Sequence, residues 1–290
     1  MNRLLILGPE KRTDTEIGIL ERSKEYFDTV LYVPLSSVRI EALGEKSIPY
    51  YKNTNLFDFD VVLTRIKRKD TDIGYVLLKL LENNGVHTPS AYKSVLYSYN
   101  KFLSPIFLKS KGLSTPKVYF ATTRKAIEHL LPDLKYPVYL KLPYENKGSV
   151  YIDSCDSAKG VIDTIEKLSQ PIFIQEIYPN SNPINILVIG KELFCIDDKN
   201  EKYTLTPEEK YTIRKASTLF ETSFCQIKAL KHNNHLVITS MNICPSINKY
   251  QDIFDEDLYD ILCKQIAKTT EKHIKLNSVR RLFKILGAKK

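Results

Sequence analysis

Over the first hundred residues, short apolar runs alternate with amphipathic stretches. Arg3–Leu7 is of buried-strand type, Asp14–Phe27 repeats its apolar residues at helical spacing, and Thr29–Val33 reads as a second strand. Asp60–Ile66 is a third, followed by a helical stretch from Asp72 to Asn83 that Gly85 and Pro89 terminate. This βαβ rhythm predicts a small parallel sheet with covering helices.

From Ser94 the run Val-Leu-Tyr-Ser-Tyr-Asn-Lys-Phe-Leu-Ser-Pro leads into a helix that ends at Lys111, stopped by Gly112. Thr115–Phe120 is the next strand, Thr123–Leu131 a helix, and Tyr136–Lys141 a strand that ends in a polar loop at 142–150. Extended structure resumes at Val150–Ile152, Ser157–Leu168 is helical, and Ile172–Ile177, Ile184–Ile189 and Leu193–Ile196 are strands. Thr206-Pro-Glu-Glu209 opens a helix well: threonine caps, proline fits the first turn, and the acids meet the helix dipole. Cys225–Leu230 and Leu236–Ser240 read as a hairpin around His232–Asn234, and Asp255–Lys272 as a last helix.

Composition adds limits. Hydrophobic residues make up 43% and charged residues 27%, ordinary for a globular chain. No window approaches the ~18 apolar residues of a membrane span. Met1–Gly8 reaches charge at Glu10 too soon for a signal peptide and is better read as the first strand. The five cysteines lack metal-ligand spacing and fit reduced thiols in a cytoplasm. The net charge of +9 is spread along the chain, with clusters at Arg65–Lys69 and Arg280–Lys290. Such a surface attracts phosphate, acidic proteins and nucleic acid alike, and no nucleic-acid recognition motif accompanies it.

Two β-rich runs carry the most chemistry. Tyr136–Lys141 ends in a lysine and Ile172–Glu176 in Gln-Glu. Paired, they leave a slot in which a flat base and a phosphate chain can lie, with the lysine meeting the phosphates.

The order of these elements resembles the ATP-grasp superfamily, and within it the RimK-like carboxylate–amine ligases. The likeness covers roughly residues 1–275 and rests on Phe59–Ile66, Asn100-Lys101, Gly112–Pro116, Tyr136–Lys141, Gln175–Tyr178, Ile186–Gly190, Thr204–Glu209 and Asn242–Pro245. It implies an α/β chain with α+β lobes: a pre-ATP-grasp βαβ domain at 1–93 and an ATP-grasp domain at 94–275. Within the latter, a small lobe would span about 115–178 and a large lobe 94–114 and 179–275. Residues 276–290 would form a basic tail. ATP is the implied cofactor. Lys101 and Lys141 would meet its α- and β-phosphates, Gln175, Glu176 and the Ile177–Tyr178 backbone its adenine, and Gly148 and Lys199 would lie near the phosphates. The implied chemistry is acyl-phosphate formation on a substrate carboxylate followed by amine attack, assisted by Mg²⁺.

The chain departs from this pattern at the catalytic end. Related ligases hold magnesium with an Asp and a Glu-x-Asn, where this chain has Gln226 (or Cys225, if the register slips) and Ser240-Met241-Asn242, so only Asn242 is kept. Pro183-Ile184-Asn185 stands where an Asp-x-Arg is expected, and the loop after Lys199 is shortened. No catalytic side chain is assigned. Two readings follow: an ATP-dependent carboxylate–amine ligase with rearranged ligands, or a non-catalytic ATP-grasp relative that serves as a nucleotide-binding or protein-interaction scaffold. The partners expected are an adenine nucleotide and a small carboxylate or acidic protein; Arg65–Lys69 reads as a solvated basic loop facing the cleft, with binding of an acidic substrate as the alternative. No membrane partner is expected.

Overall fold

A computed structural model of the protein describes residues 2–44, 46–142, 149–233 and 235–287. Its first strand, β1 (Arg3–Gly8), is apolar at successive positions because both its faces are covered. Leu4 and Ile6 enter one hydrophobic cluster, Leu5 and Leu7 another, as parallel strands between helix layers do. β2 (Thr29–Pro34) pairs with it in parallel. A hairpin follows, of β3 (Val38–Leu43) and β4 (Lys46–Tyr51), extended by the two-residue β5 (Thr54–Asn55). β6 (Val61–Thr64) then completes a sheet of order β2-β1-β6. The helices of this unit are α1 (Asp14–Ser23) and α2 (Thr71–Asn83). The β3–β4 hairpin is absent from the periodicity reading. Its charged positions interrupt the apolar alternation, and Pro49 argues against a strand anywhere but an edge.

Two helices occupy the stretch from Tyr92 to Lys111, α3 (Tyr92–Tyr99) and α4 (Leu103–Ser110), the second being the helix expected to end at Lys111. Asn100 causes the break. Its Oδ1 accepts from the N–H groups of Phe102 (3.0 Å) and Leu103 (2.9 Å) and so holds the turn that leads into α4. Next comes an antiparallel sheet of β7 (Val118–Ala121), β8 (Val138–Lys141), β9 (Ser149–Ile152) and β10 (Ile172–Glu176), in the order β7-β10-β8-β9. With α5 (Arg124–Ile127) and α6 (Cys155–Lys167) it closes its own core, which includes Leu131, Val138, Leu140, Ile162 and Ile174. Gly148, singled out in the sequence, lies outside the described residues.

The last sheet contains β11 (Asn182–Ile189), β12 (Glu192–Asp197), β13 (Phe224–His232) and β14 (His235–Asn242), antiparallel in the order β12-β11-β13-β14. α7 (Pro207–Leu219) starts from the expected Thr206/Glu209 capping box. A short α8 (Asn248–Gln251) precedes α9 (Leu258–Gly287), which is longer than the predicted 255–272 because no proline or glycine interrupts it before Gly287. The 276–287 stretch therefore continues a helix. This sheet shares both large clusters with the N-terminal unit. Ile184, Ile186 and Val188 join Leu5 and Leu7, while Leu187, Ile189 and Phe224 join Leu4 and Ile6. Gly190 turns β11 into β12 at φ +61°, where a Cβ would meet Gln265 of α9 at 2.5 Å.

Candidate functional site

Lys141 ends β8, and the β8–β10 register places it opposite Phe173, two residues from Gln175 on the same strand. Two positions along a strand share a face, so the two side chains meet: Lys141 Nζ donates to Gln175 Oε1 at 2.8 Å. Burial, reinforced by the neighbouring Lys101, pushes the Lys141 pKa down to about 8.

Lys101 arrives from another element. The Asn100 side chain fixes the turn ahead of α4, and Phe102 stacks on Phe120 of β7 with ring centroids 4.1 Å apart and meets Phe173 edge-on at 6.3 Å. Lys101 between them comes 3.5 Å from the carbonyl oxygen of Leu142, just past β8. The two lysines expected on phosphates therefore lie near one another at the end of β8, an interior strand of the small sheet.

Gln175 is half-buried in this slot. Glu176 turns its carboxylate toward β7, where Tyr119 donates to it at 3.0 Å and Lys117 lies at 3.7 Å. Ile177 and Tyr178 follow on the half-buried crossing to β11, with Tyr178 edge-on to His232 at 5.1 Å. Lys199 is not brought to the slot. It sits on an exposed turn whose shape is set by Asp197, which accepts from the N–H groups of Lys199 (3.0 Å) and Glu201 (2.8 Å).

Beside Lys101 opens a cavity of about 440 Å³ between α3, α4, the segment after β6 and the β13–β14 pair. Gln226, Ser240 and Asn242 all line it, since Gln226 pairs with Asn242 and Lys228 with Ser240 across the strands. Its basic side chains are Lys67, Arg68, Lys101 and Lys228, and no carboxylate is among the described residues that line it. Behind it, Glu16 and Arg65 form a buried ion pair at 2.8 Å. Lys228 went unnoticed in the sequence. The available signal was its place two residues after Gln226 on one strand.

Magnesium ions want several hard oxygens, some of them anionic. Here Gln226 donates to Tyr250 Oη at 2.9 Å, and Asn242 Oδ1 accepts from the Cys244 N–H at 2.9 Å. Ser240 faces a lysine across the pair. Among the described residues no three His, Cys, Asp or Glu side chains gather to hold a metal. This donor set does not fit the magnesium site that the resemblance implies. Burial pushes the Cys225 and Cys244 thiols up, which suits packing rather than nucleophilic attack.

No protein-family model matches the chain. A protein of Maridesulfovibrio salexigens named "Probable alpha-L-glutamate ligase" is 22% identical over 290 residues, covering 88% of this chain and 96% of that protein. Among solved structures, a RimK domain ATP-grasp protein from Sphaerobacter thermophilus superposes with a TM-score of 0.73 at 14% identity, covering 91% of this chain and 99% of the other. The ATP-grasp ligase PsnB, solved with a minimal precursor, Mg and ADP, gives 0.71 at 13% identity, covering 92% and 98%.

Proposed function

We propose that this chain, a RimK-like ATP-grasp protein, holds an adenine nucleotide between its small lobe and the β13–β14 cavity and uses it to join a carboxylate to an amine. The observation that carries the reading is the convergence of Lys101 and Lys141 beside Gln175 at the mouth of a basic cavity. The base would lie against Gln175 and the Glu176–Tyr178 crossing, and the phosphates would run past Lys141 and Lys101 toward Lys228.

In the reaction, a carboxylate oxygen of the acceptor bonds to the terminal phosphorus as its bond to the bridging oxygen breaks, releasing ADP and leaving an acyl phosphate. An amine nitrogen then attacks the acyl carbon and loses a proton, and phosphate departs. The cationic groups act by position and charge, which is the main service a protein gives to phosphoryl transfer. The names of the curated relatives favour glutamate as the amine. Arg65–Lys69 contributes Lys67 and Arg68 to the cavity wall, the side from which an acidic acceptor would approach.

The test is ADP release and amide formation, read by mass spectrometry, with ATP, L-glutamate and a panel of small and peptide carboxylates. ADP release that needs both carboxylate and amine supports the ligase. Nucleotide binding without turnover across the panel removes the ligase reading and leaves the nucleotide-binding scaffold.

A further inference from the structure

The cleft-facing surface of the last sheet grades from apolar to cationic. On β11 the sequence Ile189, Leu187, Asn185 runs from the shared core outward, and on β13 its partners are Phe224, Gln226 and Lys228. Lys228 is thus flanked by Asn185 on one side and Ser240 on the other, both neutral. The β13–β14 register shifts between Lys228 and Ala229, leaving Thr239 as an extra residue on β14. Bulges re-aim side chains locally, and here Thr239 and the adjacent Ser240 both line the cavity. Thr239 Oγ1 donates to the Lys228 carbonyl at 3.0 Å, fastening the bulge to the strand that carries the lysine. Neither Lys67 nor Lys228 forms an ion pair or side-chain hydrogen bond with a described residue.

A divalent cation in this cavity would meet like charges from several directions and, among the described residues that line it, no carboxylate to offset them. A free polyphosphate would meet the opposite: ammonium groups and hydroxyl donors, the usual complements of phosphate oxygens. A phosphate chain carries more charge free than complexed to a divalent ion, so the cavity favours the uncomplexed form.

We propose that this cavity takes the terminal phosphates of its ligand without a divalent metal, with Lys228 supplying the positive charge at the sheet. The inference rests on the nucleotide reading above and names the ionic form of that ligand. Magnesium then acts as a competitor: it withdraws ATP from the form the cavity binds.

Titration calorimetry on the full chain decides this, using ATP and inorganic tripolyphosphate, each in EDTA and in excess Mg²⁺. The expected result is binding in EDTA that weakens about tenfold or more in Mg²⁺, with the preference lost in Lys228→Gln of unchanged circular dichroism. Binding that needs Mg²⁺, or a magnesium effect indifferent to Lys228→Gln, overturns the inference and leaves the nucleotide site standing. Tripolyphosphate binding in EDTA without ATP binding keeps the anion cavity and removes the nucleotide. Absence of binding by either ligand in both buffers overturns both readings.

Discussion

Lys141 and Gln175 sit diagonally across β8 and β10, and the lysine ammonium donates to the amide oxygen at 2.8 Å. The amide holds the lysine in the slot while burial and Lys101 depress its pKa to about 8. A phosphate arriving here would favour the ammonium and raise that pKa. Binding should therefore take up a proton above pH 8, with affinity highest below about pH 8 and falling as pH rises past it. Calorimetry in buffers of different ionisation enthalpy checks the proton count. Lys141→Ala should abolish measurable nucleotide binding, and retained affinity would remove its phosphate role.

The Glu16–Arg65 pair concerns stability. Both side chains are nearly inaccessible, at 2% and 3% exposure, and Arg65 Nη1 is buried without a hydrogen-bond partner. Burial pushes the Glu16 carboxyl up, yet Arg65 and Thr13 together hold it below its ordinary value. Removing the carboxylate strands the guanidinium. Glu16→Ala should cost roughly 3–5 kcal/mol in urea denaturation, and a loss under about 1 kcal/mol would show that the pair is inessential.

His87 gives stability a pH dependence. It packs on His273 of α9 with ring centroids 5.0 Å apart and meets Thr269 at 3.0 Å. Burial first, and His273 second, lower its pKa from 6.5 to about 4. The unfolded chain then binds the proton before the folded one does. This contribution is whole above about pH 6.5 and is lost as pH falls toward 4, on the order of 3 kcal/mol in all. Urea midpoints measured over that window should drop for the native chain and drop less for His87→Gln.

Phe102 fastens the small lobe to the turn that carries Lys101. Phe102→Ala removes a stacked and an edge-on contact, so the small lobe should become a better target for limited proteolysis, and nucleotide affinity should fall through the displaced lysine. Stability should drop by about 1–3 kcal/mol.

Much of this was legible in the chain. Lys141 and Gln175 close β-rich runs whose period shows which positions share a face, and the Thr206/Glu209 box announces α7 residue by residue. The β3–β4 hairpin was hidden by its charges and Pro49, whereas Asn100-Lys101 marked the approach to α4, where the Asn100 side chain accepts from two backbone N–H groups. Lys228 was only faintly marked, by its spacing from Gln226, for a different reason. A single lysine on an amphipathic strand looks solvated until cross-strand register and a bulge place it among other cations, and register is a tertiary fact.

The small lobe has its own core, and among the described residues its strands and helices pack chiefly on one another. The N-terminal unit and the last sheet, by contrast, share theirs. The chain crosses between the two bodies only near Ser114–Lys117 and Ile177–Ser181. A ligand spanning the gap would therefore act as a tether as well as a guest. In the pose proposed, adenosine would touch the small lobe alone, while the phosphates would run from Lys141 on that lobe to Lys228 on the last sheet. Joined in one molecule, the second contact becomes intramolecular, and whole ATP should bind more tightly than the product of its fragments' affinities implies.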